Sequence, residues 1–197
     1  MTTTTTAPTG TDLATLHREN LELAARVARL EKQMSGVPDK NALSLCVFSD
    51  DLDRLLAAFS IANSSAACGM QVTMYFTFWA TSALKRTGPQ AAGKTIVERM
   101  FGWMLPGGPK VRSLSKLQMG GMGRAMVERE MRLKGIAGLA EQMEMAKSTG
   151  IQILVCSMTM DLMGIRREEL VEYPGLEVCG TTKFIDIAAS GNVTFFI

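Results

Sequence analysis

The sequence has very few residues that could bind a transition metal. Its single histidine is His17, and its four cysteines stand far apart, with no C-x-x-C pair: Cys46, Cys68, Cys156 and Cys179. Structural zinc sites draw on closely spaced Cys and His ligands. We therefore expect no metal site in this chain.

The sequence also lacks an excess of charge of either sign. Lys and Arg number 21 against 19 Asp and Glu, a formal net charge of +2. Proteins that bind nucleic acid usually carry a strongly basic patch, so we expect no nucleic-acid partner. The opening residues, MTTTTTAPTG, have neither the basic start nor the apolar core of a secretory signal. We expect a cytoplasmic protein whose thiols stay reduced.

No charged residue occurs between Arg54 and Lys85, a length that could span a bilayer. The pattern changes at Gly69, however. Before it, apolar residues recur at helical spacing, whereas after it the run MQVTMYFTF is β-branched and aromatic. This change of period predicts a buried helix followed by a central strand, and no stable membrane insertion.

The N-terminal region has a heptad pattern. After a Thr-rich stretch, predicted to be a disordered tail over residues 1–10, residues 11–34 carry a stripe with alternating steps of three and four: Leu13, Leu16, Asn20, Leu23, Val27, Leu30 and Met34. The pattern predicts a coiled-coil-like helix, and Asn20 at an a position favours a parallel pair of helices. An amphipathic helix docked on its own domain is the alternative. SGVPDK then breaks the helix, and residues 35–42 are predicted to be a linker.

The body, residues 43–197, alternates strands with helices. A chain of 197 residues is long enough for one main core. Five strands are predicted, at LSLCVFS, MQVTMYFTF, GIQILVC, LEVCG and VTFFI, and residues 84–124 are predicted to be irregular. The alternation predicts an open α/β sheet, largely parallel, with helices on both faces.

Gly88–Thr95 reads G-PQAA-GKT and fits the P-loop expression at every position. The motif binds phosphate only when a strand leads directly into the loop and a helix starts at its Lys-Thr pair. Here the preceding strand ends near Phe78, and WATSALKR intervenes. We therefore predict no nucleotide binding.

Cys156 is the last residue of a predicted strand. Ligands of open α/β sheets bind beyond the carboxyl ends of the strands. Ser157 or Thr159 could cap the helix that follows, and a helix start near a thiol lowers its pKa. The position alone fits equally well a small buried residue chosen for packing.

Other strand ends supply further candidate pocket residues, namely Ser49, Asp50, Thr77 and Trp79. Cys179 also ends a strand and could exchange sulfur with Cys156 if the two strands are neighbours. Cys46, inside a strand, and Cys68, after an alanine-rich helix, are interpreted as packing residues.

Four blocks of the body resemble the DsrE/DsrF/DrsH-like family, in particular its branch labelled peroxiredoxin-like: FSDDLDRLLAAFSIANSSAACGMQVTMYFTFWA, ERMFGWMLPGG, LSKLQMGGMG and GIQILVCSMTMDLMGI…REEL. The resemblance covers roughly Leu43 to Ile197. It implies a flavodoxin-like three-layer α/β/α sandwich, homo-oligomerisation, and sulfur trafficking through a cysteine persulfide, often with a TusA-type carrier. The family cysteine after the central strand corresponds to Cys156.

The residues and the resemblance together predict a carrier of sulfane sulfur that holds it as a persulfide on Cys156, with Cys179 as a possible second thiol. Such exchange needs thiolate character and access, but no metal or organic cofactor. Two alternatives stay open. One is a thiol peroxidase, although GIQILVC lacks the Pro and Thr typical of that site. The other is a non-catalytic oligomeric scaffold that binds a small ligand, with Cys156 buried and inert.

Overall fold

The computed structural model describes residues 10–34, 40–105, 107–108, 114–116 and 122–197. The chain divides into two compact units, Met1–Pro38 and Asp39–Ile197. The predicted tail, apart from Gly10, and residues 35–39 of the predicted linker lie outside the described residues. The last three linker positions are not linker, because they form the start of the first strand.

The described part of the second unit contains five strands: β1 (Lys40–Val47), β2 (Gln71–Phe76), β3 (Gln152–Cys156), β4 (Leu176–Cys179) and β5 (Gly191–Phe196). The helices of the chain are α1 (Gly10–Met34), α2 (Leu52–Ala67), α3 (Ile96–Met104), α4 (Met122–Leu133), α5 (Leu139–Ser148), α6 (Ser157–Met163) and α7 (Thr181–Ser190). Short 3₁₀ segments cover Phe78–Leu84 and Arg167–Glu169.

The strands form one sheet in the order β4-β3-β2-β1-β5, and every neighbouring pair is parallel. The predicted class, an α/β fold with a five-stranded parallel sheet flanked by helices, is therefore confirmed. The strand order differs from the 2-1-3-4-5 order of flavodoxin itself. Here the chain steps from β1 outward to β4, and β5 then returns to the free edge of β1.

The two faces of the sheet carry cores of different size. On one face, α2 packs against β1 and β2 and contributes buried residues at helical spacing: Leu52, Leu55, Ala58, Phe59 and Ala62. On the other face, α7 packs against β1 and β5. A smaller cluster of buried side chains occupies this second face: Tyr75, Leu154, Cys156, Cys179 and Phe184. We call it the α7-face cluster.

The uncharged stretch after Arg54 forms most of α2, followed by β2. Among the described helices, none has both the length and the apolar character required to cross a bilayer.

Within its described residues, the segment predicted to be irregular, residues 84–124, contains a helix that the sequence interpretation missed. Thr95 caps α3 through a capping box, in which its side chain accepts a hydrogen bond from the Glu98 N–H and the Glu98 carboxylate accepts one from the Thr95 N–H. The T-x-x-E spacing is the sequence signal for such a box. It was obscured by the flanking Gly and Pro residues.

The heptad residues of α1 lie along a single helix whose apolar seam is exposed within its own unit. More than half of the residue surface is accessible at four described seam positions, Leu16, Leu23, Val27 and Leu30. Asn20 donates a hydrogen bond from Nδ2 to the carbonyl oxygen of Leu16, 3.0 Å away, within the same helix. The amide therefore has a local partner in a single helix, and the pairing predicted from the sequence stays a prediction.

We predict that two copies of α1 pair in parallel, with their position-20 side chains facing each other. Asn20→Cys should then form a disulfide-linked dimer under mild oxidation, because a positions of a parallel pair lie opposite one another. Leu21→Cys, one residue off the seam and likewise exposed, is the matched control. Non-reducing electrophoresis against the wild-type chain measures the cross-link. Equal cross-linking of the two variants would contradict the parallel pair.

Candidate functional site

Cys156 is the last residue of β3, and α6 begins at the next position. Because β3 lies between β2 and β4, the thiol has a neighbouring strand on each side. In the register of β3 with β4, Cys156 is the direct partner of Cys179. On the other side Phe76 pairs with Val155, which places Thr77 next to Cys156.

Hydroxyl groups surround the sulfur of Cys156. Burial by itself would raise the pKa of this thiol, but hydrogen bonding from the Thr159 side chain, the Tyr75 hydroxyl, the Thr159 N–H and the Thr77 side chain lowers the pKa below its ordinary value. Cys156 is the N-cap residue of α6, and its side chain makes no regular capping hydrogen bond. Donors directed at a sulfur stabilise its thiolate form.

Tyr75 is held in place from two directions. Its ring stacks on that of Phe184 from α7, with centroids 4.7 Å apart and planes 10° from parallel. Its hydroxyl oxygen lies 3.1 Å from Oγ1 of Thr181. Burial and the neighbouring Cys156 sulfur raise the pKa of Tyr75, so the phenol stays protonated and can act as a donor. The hydroxyl of Thr181 can therefore donate to Tyr75 while Tyr75 donates to the sulfur.

Thr77 and Thr159 form a second polar contact beside the thiol. Their Oγ1 atoms are 3.2 Å apart, and the Phe78 N–H donates a 3.0 Å hydrogen bond to Thr159 Oγ1. Phe78 has φ 46°, an unfavourable backbone conformation for a residue other than glycine. In this strained conformation the Phe78 N–H points toward Thr159 and helps to hold its hydroxyl beside the thiol.

The thiol is buried. Only 1% of the surface of Cys156 is accessible, because the other side chains of the α7-face cluster cover it. The sequence interpretation placed Cys156 where it could be both activated and reached. The structure shows hydroxyl donors at the sulfur, whereas reagents can reach it only after the neighbouring side chains move.

The remaining cysteines differ from Cys156. Burial raises the pKa of Cys46, with a further contribution from Cys156. Burial also raises that of Cys179, with a further contribution from the Glu177 carboxylate. Cys68 follows α2 and is exposed, so its interpretation as a packing residue is wrong. All four cysteines are free.

The other predicted pocket residues occupy neighbouring strand ends. Ser49 donates to Asp51 Oδ2 at 2.8 Å and accepts from the Asp51 N–H, forming the turn before α2. Asp50 accepts a hydrogen bond from Ser82 at 3.3 Å. Trp79 is 40% exposed, and Ser157 is the half-buried first residue of α6.

Of the site residues predicted from the sequence, Thr77, Thr159 and Cys179 lie next to Cys156 in the structure. The sequence interpretation missed Tyr75. The sequence did contain a signal for Tyr75. Side chains alternate along a strand, so MQVTMYFTF places Thr73, Tyr75 and Thr77 on the same face of the sheet.

The P-loop-like stretch has its lysine engaged inside the protein. Lys94 Nζ is fully buried and lies 2.8 and 2.6 Å from the two carboxylate oxygens of Glu169. The same carboxylate accepts hydrogen bonds from the backbone N–H groups of Ala91 and Arg166. A phosphate-binding lysine must be free to reach its ligand, whereas this one joins the loop to the Arg167–Glu169 segment.

Within the described ranges, no group of three or more His, Cys, Asp or Glu side chains is placed to hold a metal ion.

A family model and several known proteins match most of the chain. The model of the family described as "DsrE/DsrF/DrsH-like family" matches residues 39–196. The chain is 35% identical over 154 residues to the uncharacterized protein YrkE of Bacillus subtilis (strain 168), covering 78% of this chain and 95% of that protein. It is 26% identical over 165 residues to the sulfur carrier protein DsrE2 of Allochromatium vinosum, covering 81% and 99%. The crystal structure of the ychN protein from E. coli aligns with a TM-score of 0.46 at 9% identity, over 79% and 98% of the two chains.

We predict that removal of the Tyr75 hydroxyl weakens the thiolate of Cys156. In Tyr75→Phe the pH midpoint for alkylation of Cys156 by iodoacetamide should rise by about one unit, the expected cost of one hydrogen bond to a charged group. Peptide mass spectrometry across a pH series measures it. Tyr173→Phe is the matched control, because the hydroxyl of this second tyrosine donates to the Ile151 carbonyl oxygen at 2.7 Å. Identical midpoints in all three proteins would show that Tyr75 does not act on the sulfur.

We further predict that Lys94 stabilises the fold and binds no nucleotide. Lys94→Ala leaves the Glu169 carboxylate buried without its cation, which should lower the free energy of unfolding by about 3 kcal/mol or more. Lys134→Ala, which breaks the exposed pair with Glu130, should cost less than about 1 kcal/mol. Urea unfolding measures both. Calorimetry of the wild type with magnesium–ATP should show only heat of dilution, and micromolar binding lost in Lys94→Ala would overturn this interpretation.

Proposed function

Because the chain belongs to the DsrE/DsrF/DrsH-like family, as its sequence predicted, we propose that it carries sulfane sulfur as a persulfide on Cys156. One relative, DsrE2, is named as a sulfur carrier protein. This similarity supports a role in sulfur trafficking. The assignment to one cysteine depends on the site itself.

The observation that carries the assignment is the set of hydroxyl groups at the Cys156 sulfur. A cysteine that serves only for packing behaves as a small hydrophobe and needs no donors. Here Tyr75, Thr77 and Thr159 direct polar groups to one sulfur within a buried cluster. Buried polar groups cost free energy unless they are paired. An anionic sulfur, either thiolate or persulfide, gives these donors a charged acceptor.

The proposed transfer proceeds in two displacements. The Cys156 thiolate attacks the sulfane sulfur of a donor persulfide or polysulfide, forms a new S–S bond, and releases the donor thiolate. An acceptor thiolate then attacks the outer sulfur of the Cys156 persulfide, and the Cys156 thiolate leaves. Each step conserves electron pairs, since one S–S bond forms as another breaks.

The partners of this proposal are thiols of other molecules. A TusA-type carrier as protein partner, a homo-oligomeric body and a cytoplasmic location follow from the family resemblance. They belong to the proposal. Four free thiols are compatible with a reducing compartment.

Two other functions make different use of the same cysteine. A thiol peroxidase usually places an arginine beside its thiolate, whereas the groups that lower the pKa of Cys156 are hydroxyls and a backbone N–H. In a non-catalytic scaffold, the burial of Cys156 would be its whole role. Chemical loading separates the three functions.

We predict that Cys156→Ser does not load with sulfur. Wild type incubated with polysulfide should gain one or more sulfur atoms on the peptide containing Cys156, measured by mass spectrometry after alkylation. Cys46→Ser, which changes a thiol on the same sheet face, should load as the wild type does. Circular dichroism checks that each variant is folded.

Three results would contradict the proposal of a persulfide carrier at Cys156. Undiminished loading of Cys156→Ser would assign the sulfur to another thiol. Sulfenic or sulfinic products after peroxide treatment, with no sulfur gained from polysulfide, would favour the peroxidase. Absence of both reactions in the folded wild type would favour the scaffold.

A further inference from the structure

Cys156 and Cys179 are the terminal residues of two hydrogen-bonded strands and are direct partners in their register. Both side chains belong to the α7-face cluster, so they extend from the same face of the sheet. The carrier proposed above needs only one thiol. The second, placed directly beside it, has no part in that transfer.

We propose that Cys179 attacks the inner sulfur of a persulfide on Cys156, forming a disulfide between the two strand ends and releasing hydrosulfide. This inference rests on the proposed persulfide at Cys156. It adds a second outcome for the bound sulfur: transfer to an acceptor thiol, or discharge as sulfide when no acceptor arrives.

The geometry favours attack on the inner sulfur. Partner positions of neighbouring strands lie about 4.8 Å apart, within the range of Cα separations found in disulfides, about 4.4–6.8 Å. The Sγ atom of Cys156 is the sulfur bound directly to this backbone position, whereas the outer sulfur lies one bond farther away. Both residues end their strands, so their backbones can adjust to the bond more easily than residues in mid-strand.

The atoms and electrons of this step balance without an outside oxidant. The bond between Sγ of Cys156 and the outer sulfur breaks, and a bond between the two Sγ atoms forms. The outer sulfur leaves with both electrons of the broken bond and takes the proton of the Cys179 thiol, giving HS⁻. The sulfane sulfur is thereby reduced and the two cysteines are oxidised. Two equivalents of a small thiol then restore both cysteines and yield one small-molecule disulfide.

The protonation state of the Cys179 thiol limits the rate of internal discharge. Burial and the Glu177 carboxylate raise its pKa, while Lys183 acts in the opposite direction. The residue is therefore mostly the neutral thiol near neutral pH, and only its thiolate attacks. A small thiolate fraction slows internal discharge, which leaves time for transfer to an acceptor thiol.

Cys46 cannot take the same role. It lies on β1, and its register partner on β2 is Tyr75. Two strand spacings, about 9.6 Å, separate β1 from β3, which exceeds the limit of about 7 Å for a disulfide without backbone movement. Cys46 thus provides a control thiol on the same face of the sheet.

The test follows full-length protein after loading with polysulfide and removal of the reagent. Sulfide released over time is measured colorimetrically, and intact mass together with a non-reducing peptide map locates the sulfur. Wild type should release sulfide and accumulate a disulfide between the peptides of Cys156 and Cys179. Cys179→Ser and Cys179→Ala should keep the persulfide and release sulfide at least about tenfold more slowly, since they lose an intramolecular nucleophile. Cys46→Ser should behave as wild type.

The outcomes separate this inference from the function on which it rests. A Cys156 persulfide that is equally long-lived in wild type and in both Cys179 variants overturns the inference and leaves the carrier intact. Sulfane sulfur found on the Cys179 peptide, without the disulfide, also overturns it, because attack then occurs at the outer sulfur. Absence of any Cys156 persulfide, in folded wild type and Cys179 variants alike, overturns both.

Discussion

The parallel pairing of β3 with β2 and β4 determines the environment of Cys156. Hydrogen bonds to both neighbours fix the register in which Thr77 lies on one side of the thiol and Cys179 on the other. Side chains alternate between the two faces along a strand, so a slip of one residue would turn Cys156 toward the α2 core. The sulfur would then lose every hydroxyl that stabilises its charge.

The cluster on the α7 face shows how a buried polar group can be tolerated. A series of donors and acceptors runs from the Thr181 hydroxyl through the Tyr75 phenol to the Cys156 sulfur. The contact between Thr77 and Thr159 lies beside this series. Such networks are stable when every member has a partner. The stacked ring of Phe184 fixes the phenol in its place. Helix α7 therefore affects the thiol indirectly, by positioning the tyrosine.

The sequence predicted the class of fold and the position of Cys156, since both follow from local patterns. Strand and helix periods are visible in the letters, and a cysteine between an apolar run and a helix start is visible too. The sequence did not predict the neighbours of β3, because strand order depends on which way each crossover turns. The pairing of Cys156 with Cys179 depends on that order. The sequence left both an accessible and a buried thiol open, since the cover of Cys156 comes from residues such as Phe184, far along the chain.

The sheet separates two populations of side chains that share few partners. The α2 side carries the larger apolar cluster, whereas the α7 side holds Cys46, Cys156 and Cys179 together with the Tyr75 hydroxyl. When two substituted residues share no contacts, their effects on the free energy of unfolding tend to be additive. A lineage could therefore exchange the residues around the sulfur, one at a time, while the opposite layer preserved folding. The same scaffold could in this way acquire other chemistries during evolution, with the backbone of the sheet as the inherited part.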